Sequence, residues 1–254
     1  MAAGDPKLDV PLRFTRSAVV DKDWSRASAL WQLDFVCGLL GLPDLASTSV
    51  LDMGCGIKMS ETILNEGIAI KRYVGVDVFE EMITYLLANV DDPRFEYHHV
   101  SLYNELYNPT GPRLADTTAL PVHETFDLIW LFSVFTHLPP DDFRAMLQLL
   151  RPYVRDAGRL FFTLYINEET EGGHGFVDSL AKRLQANPEL LERRRRPIDE
   201  AVPPYHDVSP DHPLRTALYS REHAMELIDG TGWRPLLVLD PGPYIQHSIL
   251  CEPC

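Results

Sequence analysis

The chain has 254 residues and a net charge of −14. That length suits one large domain or a domain with a cap, and it buries roughly 70–75% of its unfolded surface without a metal or disulfide staple. The acidic balance argues against general affinity for nucleic acid, whose binding needs cationic surface.

Cys37, Cys55, Cys251 and Cys254 do not read as a disulfide framework, and Cys251-x-x-Cys254 has no second ligand pair to make a metal site. Neither a signal peptide nor an apolar run of membrane-spanning length is seen, so a reducing cytoplasm is the expected setting.

Residues 1–20 are mixed in character. Asp23 to Leu42 predicts a helix: Ala27, Leu30, Trp31, Leu33, Phe35, Val36, Leu39 and Leu40 form a broad apolar face, and Gly41 with Pro43 stops it. Phe14 and Trp24 are candidates to close over a ligand or stack on a sugar, with core packing as the alternative for Trp24. The apolar run Ser49–Met53 ends in Gly54-Cys55-Gly56, which reads as a buried strand turning tightly into a helix from about Ser60 to Gly67. Glycines there allow positive φ and close approach of backbone to a ligand. Asp52 sits at the strand tip, where a carboxylate reaches the crevice outside the carboxyl end of a sheet. Arg72–Asp77 reads as the second strand, and Asp77 at its end is placed to accept both hydroxyls of a ribose.

A helix over Glu80–Asn89 follows, with acids in its first turn. Phe95–Ser101 reads as the third strand. It contains His98-His99, whose rings should face opposite ways with one of them buried. Residues 109–124 hold three prolines and no periodicity, so they are expected as loop. Phe126–Phe132 is nearly all apolar and is expected as a strand buried on both faces. Asp141–Leu150 predicts a helix and Arg159–Tyr165 the fifth strand. The rhythm then breaks. Residues 168–216 hold Gly172-Gly173, a helix near Phe176–Ala186, the run Arg193 to Arg196, and five prolines from Pro197 to Pro213. A long irregular stretch in a compact domain is functional or mobile, and this one reads as a cap or lid over the strand tips. The basic run reads as a solvated segment, with binding of a substrate carboxylate or phosphate as the alternative.

A helix over Arg221–Asp229 and strands over Leu236–Leu239 and Tyr244–Cys251 close the chain. Pro241-Gly242-Pro243 is too short for a helical crossover, so the last two strands should be antiparallel. The expected fold is α/β: a doubly wound, seven-stranded Rossmann-like sheet with an antiparallel last strand and a cap or lid insertion after strand 5. One domain spans 1–254, beginning with a helical segment over 1–45.

Four stretches carry a family resemblance. They are Val50 to Gly56, Val74-Gly75-Val76-Asp77, Phe126 to Trp130 with Ser133 to Leu138, and Leu150-Arg151-Pro152 to Leu160. In order and spacing they resemble the class I S-adenosylmethionine-dependent methyltransferases. The pattern is closest to bacterial enzymes that O-methylate small molecules and sugars; the Tyr103-Asn104 to Tyr107-Asn108-Pro109 stretch with Thr136-His137-Leu138 is similar to a group that often acts on sugars and glycans. The resemblance implies S-adenosylmethionine as cofactor, held by Asp52, Gly54, Cys55, Gly56, Asp77, Val78, Ser101, Leu102, Phe132 and Ser133. Two positions depart from the family. Lys58 replaces its third glycine and, lying near the helix start, is expected to point outward. Ser101 stands where an acid commonly meets the adenine amino group, with Asn104 as a substitute.

The implied reaction is methyl transfer to a hydroxyl of a small molecule, a sugar or glycan. An alcohol benefits from a general base, and His137, just past strand 4, is the candidate, with capping of the next helix as its structural alternative. Tyr165 and Asn167 either orient the acceptor or serve packing. Asp141, Asp142, Glu168 and Glu169 admit an optional Mg²⁺ near His137, although Asp141-Asp142 also reads as an acidic helix start; no residue is assigned as a metal ligand. His123, His174, His206, His212 and His223 are expected to be satisfied or solvated. The partner is a small-molecule acceptor, with no nucleic acid or membrane, and the last strand or cap offers a surface for a homodimer.

One competing reading is a nicotinamide-dependent oxidoreductase. Against it, Met59 breaks Gly-x-Gly-x-x-Gly and no Tyr-x-x-x-Lys pair falls in a helical stretch. The other is a methyltransferase-like domain that binds without turnover, to which Lys58 and Ser101 lend support.

Overall fold

A computed structural model of the chain describes residues 7–14, 21–186, 203–209, 215–242 and 244–254. The basic run Arg193 to Arg196 and His212 lie outside the described residues.

Helix α1 (Lys22–Leu40) starts where the Asp21 carboxylate accepts from the backbone N–H groups of Asp23 and Trp24, and it ends on Gly41 in the left-handed conformation. Then come β1 (Leu45–Met53), α2 (Lys58–Glu66), β2 (Ile70–Asp77), α3 (Glu80–Asn89) and β3 (Phe95–His99). After a loop with one 3₁₀ turn, β4 (Phe126–Leu131), α4 (Pro140–Leu150) and β5 (Val154–Ile166) continue the alternation. The remainder is α5 (Phe176–Ala186), β6 (Tyr205–Asp207), β7 (Ala217–Tyr219), α6 (Arg221–Ile228), β8 (Trp233–Leu239) and β9 (His247–Pro253).

The main sheet runs β3-β2-β1-β4-β5-β9-β8. Strands β1 to β5 are mutually parallel, β9 is antiparallel to β5, and β8 is antiparallel to β9. This is the doubly wound α/β sheet with a reversed C-terminal strand. Its order reverses between β1 and β4, which opens a crevice at the carboxyl ends of those strands.

Side chains alternate across the sheet. Leu51 and Met53 of β1 and Ile129 and Leu131 of β4 face one core, filled by Phe143, Met146 and Leu147 of α4 and Ala224 and Ile228 of α6. Val50, Leu128 and Trp130 face the other, filled by Leu33 and Val36 of α1, Ile63 of α2 and Ile83 of α3. Asp52 falls on this second face.

Two differences from the sequence expectations matter for the site. Strand β5 is longer than Arg159–Tyr165 and forks. Its middle pairs with β9, while Tyr165 and Ile166 pair in parallel with Leu218 and Tyr219 of β7, which in turn pairs with β6. The three-residue strands β6 and β7 carry too few residues for a period-2 signal. Strand β3 stops at His99, two residues short of Ser101, because Leu102 N–H turns back to the Val100 carbonyl. Neither histidine of that strand is buried; His98 Nε2 lies 2.7 Å from Glu96 Oε1.

Candidate active site

A cavity of about 560 Å³ opens at the strand tips, within the size range of small-molecule sites. Its floor is the turn after β1. Gly54 and Gly56 have φ of +73° and +51°, which glycine adopts without steric cost. Gly54 donates its N–H to the Val76 carbonyl at 2.7 Å, joining the turn to β2. A Cβ on Gly54 would fall 2.4 Å from Val134 Cγ2, whereas one on Gly56 would meet no atom within 4 Å. The backbone at Gly56 therefore has room to meet a ligand closely. Gly75 is equally constrained, since a Cβ there would press on Cys55 Sγ at 2.9 Å.

Asp77 at the tip of β2 is buried and held in one orientation. Its Oδ2 accepts from Gly56 N–H at 2.9 Å and its Oδ1 from Phe79 N–H at 3.0 Å. Asp52 is only 2% exposed. Burial pushes its carboxyl up to about 7, against the opposing hydrogen bond from Tyr73, whose hydroxyl donates to Oδ2 at 2.6 Å. Lys58 does not point outward. It lines the cavity, and its Nζ donates to Ser28 Oγ of α1 at 3.2 Å. Desolvation lowers its ammonium to about 8 while the Asp52 charge opposes the shift. The reason is positional: Lys58 opens α2 on the side that α1 covers, so its side chain is enclosed between two helices and the strand tip.

On the β4 side, Phe132, Ser133, Val134 and His137 line the cavity. Ser133 adopts φ +60°, a strained conformation for a residue with a Cβ and one that concentrates at functional sites. It is held by its N–H to Thr163 Oγ1 at 2.9 Å and by its hydroxyl to Gln246. Gln246, just before β9, carries no sequence signal, since only the sheet order brings it beside β4.

His137 Nδ1 lies 2.5 Å from the Arg215 carbonyl oxygen. A carbonyl only accepts, so Nδ1 carries the hydrogen and Nε2 is the basic nitrogen. Asp142 shares the cavity wall with His137, and burial raises its carboxyl pKa. The rest of this end is Tyr103, Asn104, Glu105, Tyr107, Leu138 and Arg215, with Arg215 Nε donating to Glu105 Oε1 at 2.8 Å. Trp24 from α1 lines the cavity and is exposed, while Phe14 also lines it and is buried against Phe79 and Tyr85.

Of the predicted cofactor residues, Asp52, Gly54, Cys55, Gly56, Asp77, Val78, Phe132 and Ser133 line this one cavity. Ser101 and Leu102 do not. Because β3 ends early, Leu102 turns into the core at 3% exposure and Ser101 faces outward, where its hydroxyl accepts from Asn108. Asn104 does line the cavity, but its Oδ1 accepts from Leu106 and Tyr107 N–H groups in its own loop. Tyr165 packs against Phe176 with the rings tilted, and Asn167 donates its backbone N–H to the Tyr219 carbonyl.

Two of the acids grouped with His137 in sequence, Glu168 and Glu169, lie elsewhere. Glu168 is turned to Arg221, whose Nε donates to Oε2 at 2.9 Å, and to buried His247. Glu168, Asp240 and His247 do converge, but the Arg221 guanidinium bonds both acids and already supplies the positive charge there. Glu169 is exposed. Of these acids Asp142 is the one that lines the cavity with His137.

Residues 51–162 match the family described as "Methyltransferase domain". Solved structures with the same fold include a mitomycin 7-O-methyltransferase, at 13% identity and TM-score 0.52, covering 95% of this chain and 59% of that one. The chain thus spans well under two thirds of that protein's length. They also include a glycopeptide N-methyltransferase, at 11% identity and TM-score 0.55, covering 91% and 90% of the two chains. A third is the 1,6-didemethyltoxoflavin-N1-methyltransferase of Burkholderia thailandensis, at 14% identity and TM-score 0.53, covering 94% and 81%. Residues 51–162 therefore match a methyltransferase domain, and the protein has the α/β Rossmann-like fold of these methyltransferases.

Proposed function

We propose that the protein, as one domain, transfers a methyl group from S-adenosylmethionine to a hydroxyl of a small, sugar-like acceptor. When bound, the cofactor supplies a methyl group already activated on a sulfonium. Cys55 and Gly56 would approach it by backbone, Asp77 would take the ribose hydroxyls, Asp52 the ammonium, and Val78, Phe79 and Met82 the apolar surface of the base. Phe132 and Ser133 would close the β4 side.

The observation that carries the O-transfer reading is His137. The Arg215 carbonyl sets its tautomer so that Nε2 is the nitrogen able to take the acceptor's proton. A positioned base of this kind contributes about 10²–10⁴-fold, and holding the two reactants in line contributes about 7–11 kcal/mol. A sugar-like acceptor is supported by the exposed aromatic faces of Trp24 and Tyr103 at the mouth, 63% and 46% exposed. Such faces stack on apolar ring surfaces, while Glu105, Asp142 and Arg215 offer partners for hydroxyls.

Thermal melting with S-adenosylmethionine, S-adenosylhomocysteine, NADH and NADPH tests the cofactor. At 100 times its dissociation constant a ligand adds about 2.7 kcal/mol, a rise on the order of 5–10 °C. A rise with the two sulfur nucleosides alone is expected; a rise with a nicotinamide alone would replace this reading by the oxidoreductase. Turnover with any hydroxyl acceptor would exclude the binding-only domain, and turnover with amines alone would sink the hydroxyl assignment.

A further inference from the structure

The cavity wall nearest the glycine turn holds a cation that the family pattern does not provide. Among the described lining residues two side chains are permanent or near-permanent cations, Lys58 and Arg215. Arg215 is committed to Glu105 at the far end. Lys58 is hydrogen-bonded only to the neutral Ser28 hydroxyl and makes no direct ion pair with a described residue. An ammonium on a cavity wall with no ion pair among the described residues is suited to hold an anion. Asp52 nearby is the complementary group for a cation. The two charges together match an α-amino acid, whose ammonium and carboxylate share one carbon.

We propose that Lys58 anchors the carboxylate of the cofactor's amino-acid moiety. This rests on the cofactor assignment above. Lys58 then does by charge what the replaced glycine does by close backbone approach, and the Ser28 hydroxyl holds the ammonium in place before the ligand arrives. The depressed pKa of Lys58 supports the assignment, because a cation stripped of water regains its partner on binding an anion.

The test compares wild type with Lys58→Met by calorimetry, using three probes. S-adenosylhomocysteine carries both charges, its decarboxylated aminopropyl analogue keeps only the ammonium, and 5′-methylthioadenosine has neither. Loss of a charge-assisted contact should weaken S-adenosylhomocysteine about 10- to 100-fold, while the other two probes bind the variant as they bind wild type. Lys58→Arg should recover part of the loss. If Lys58 merely balances Asp52, the variant will lose the decarboxylated analogue as well, and the proposal falls. An equal loss of all three probes, repeated in Lys58→Gln, or no loss at all would also overturn it. Failure of wild type to bind any of the three would remove the cofactor assignment itself and the inference with it.

Discussion

His137 Nδ1 is bonded at 2.5 Å to the main-chain oxygen of Arg215, a residue 78 positions later in the chain. The bond joins the loop after β4 to the segment that leads into β7, and the Tyr219 hydroxyl donates to the Leu138 carbonyl one residue further on at 2.5 Å. The insertion after β5 therefore sets the orientation of the candidate base, although no side chain of the insertion needs to do chemistry. Fixing one nitrogen by a backbone acceptor leaves the other as the base whatever the side chain at position 215.

His137→Asn should lower kcat by about 10²–10⁴-fold while S-adenosylhomocysteine binds as before. Single-turnover rates with saturating cofactor, together with calorimetry, check this. A fall of less than about ten-fold would assign His137 to holding its loop.

Asp77→Asn should weaken S-adenosylhomocysteine roughly 10- to 100-fold. The carboxylate accepts from Gly56 and Phe79 N–H groups, one on each oxygen. An amide can accept on one side only and turns its NH₂ against a donor on the other. Unchanged affinity in a titration would place the ribose elsewhere.

Gly54→Ala should destabilise the protein by about 2–4 kcal/mol, from the left-handed backbone and the clash with Val134. The melting temperature should fall by roughly 5–15 °C. A variant that melts with wild type would show that the loop after β4 gives way easily, contrary to its packed surroundings.

The affinity for S-adenosylhomocysteine should have an optimum between about pH 7 and pH 8. Asp52, facing Tyr73, Asp77 and Lys58, has its carboxyl raised to about 7 by burial, so the free protein must shed a proton before it holds an ammonium. Affinity therefore rises with pH through about 7. Lys58, facing Asp52 and Ser28, is lowered to about 8, so it loses the charge that would hold a carboxylate as pH rises further. Calorimetry from pH 6 to 9 checks both limbs. Asp52→Asn should flatten the acid limb and Lys58→Met the alkaline one. The sign for stability is the reverse for Asp52. A raised carboxyl pKa stabilises the folded ligand-free state fully only below its unfolded value near 4, and this is lost as pH climbs through 7. Asp52→Asn should thus raise the melting temperature more at pH 8 than at pH 5.

The sequence by itself determined the sheet and the glycine-turn half of the site. Each depends on local pattern: strands β1, β2 and β4 are apolar runs at period 2 or buried on both faces, and α2 stops on Gly67 in the left-handed conformation. Gly54, Gly56, Asp52 and Asp77 sit at the ends of those runs, so their place at the strand tips follows from connectivity alone. The tertiary structure decided the parts that depend on what an element meets. Lys58 looked like a surface residue at a helix start until α1 was laid over it. Ser101 looked like a cofactor contact until β3 ended two residues early and turned it to solvent. Glu168 looked like a neighbour of His137 until Arg221 and His247 drew it away. Gln246, Arg215 and β7 reach the β4 tip only because β5 forks, with β9 along its middle and β7 along its end. Such contacts join residues far apart in the chain, and their energies come from enclosure and charge pairing, which no local periodicity records.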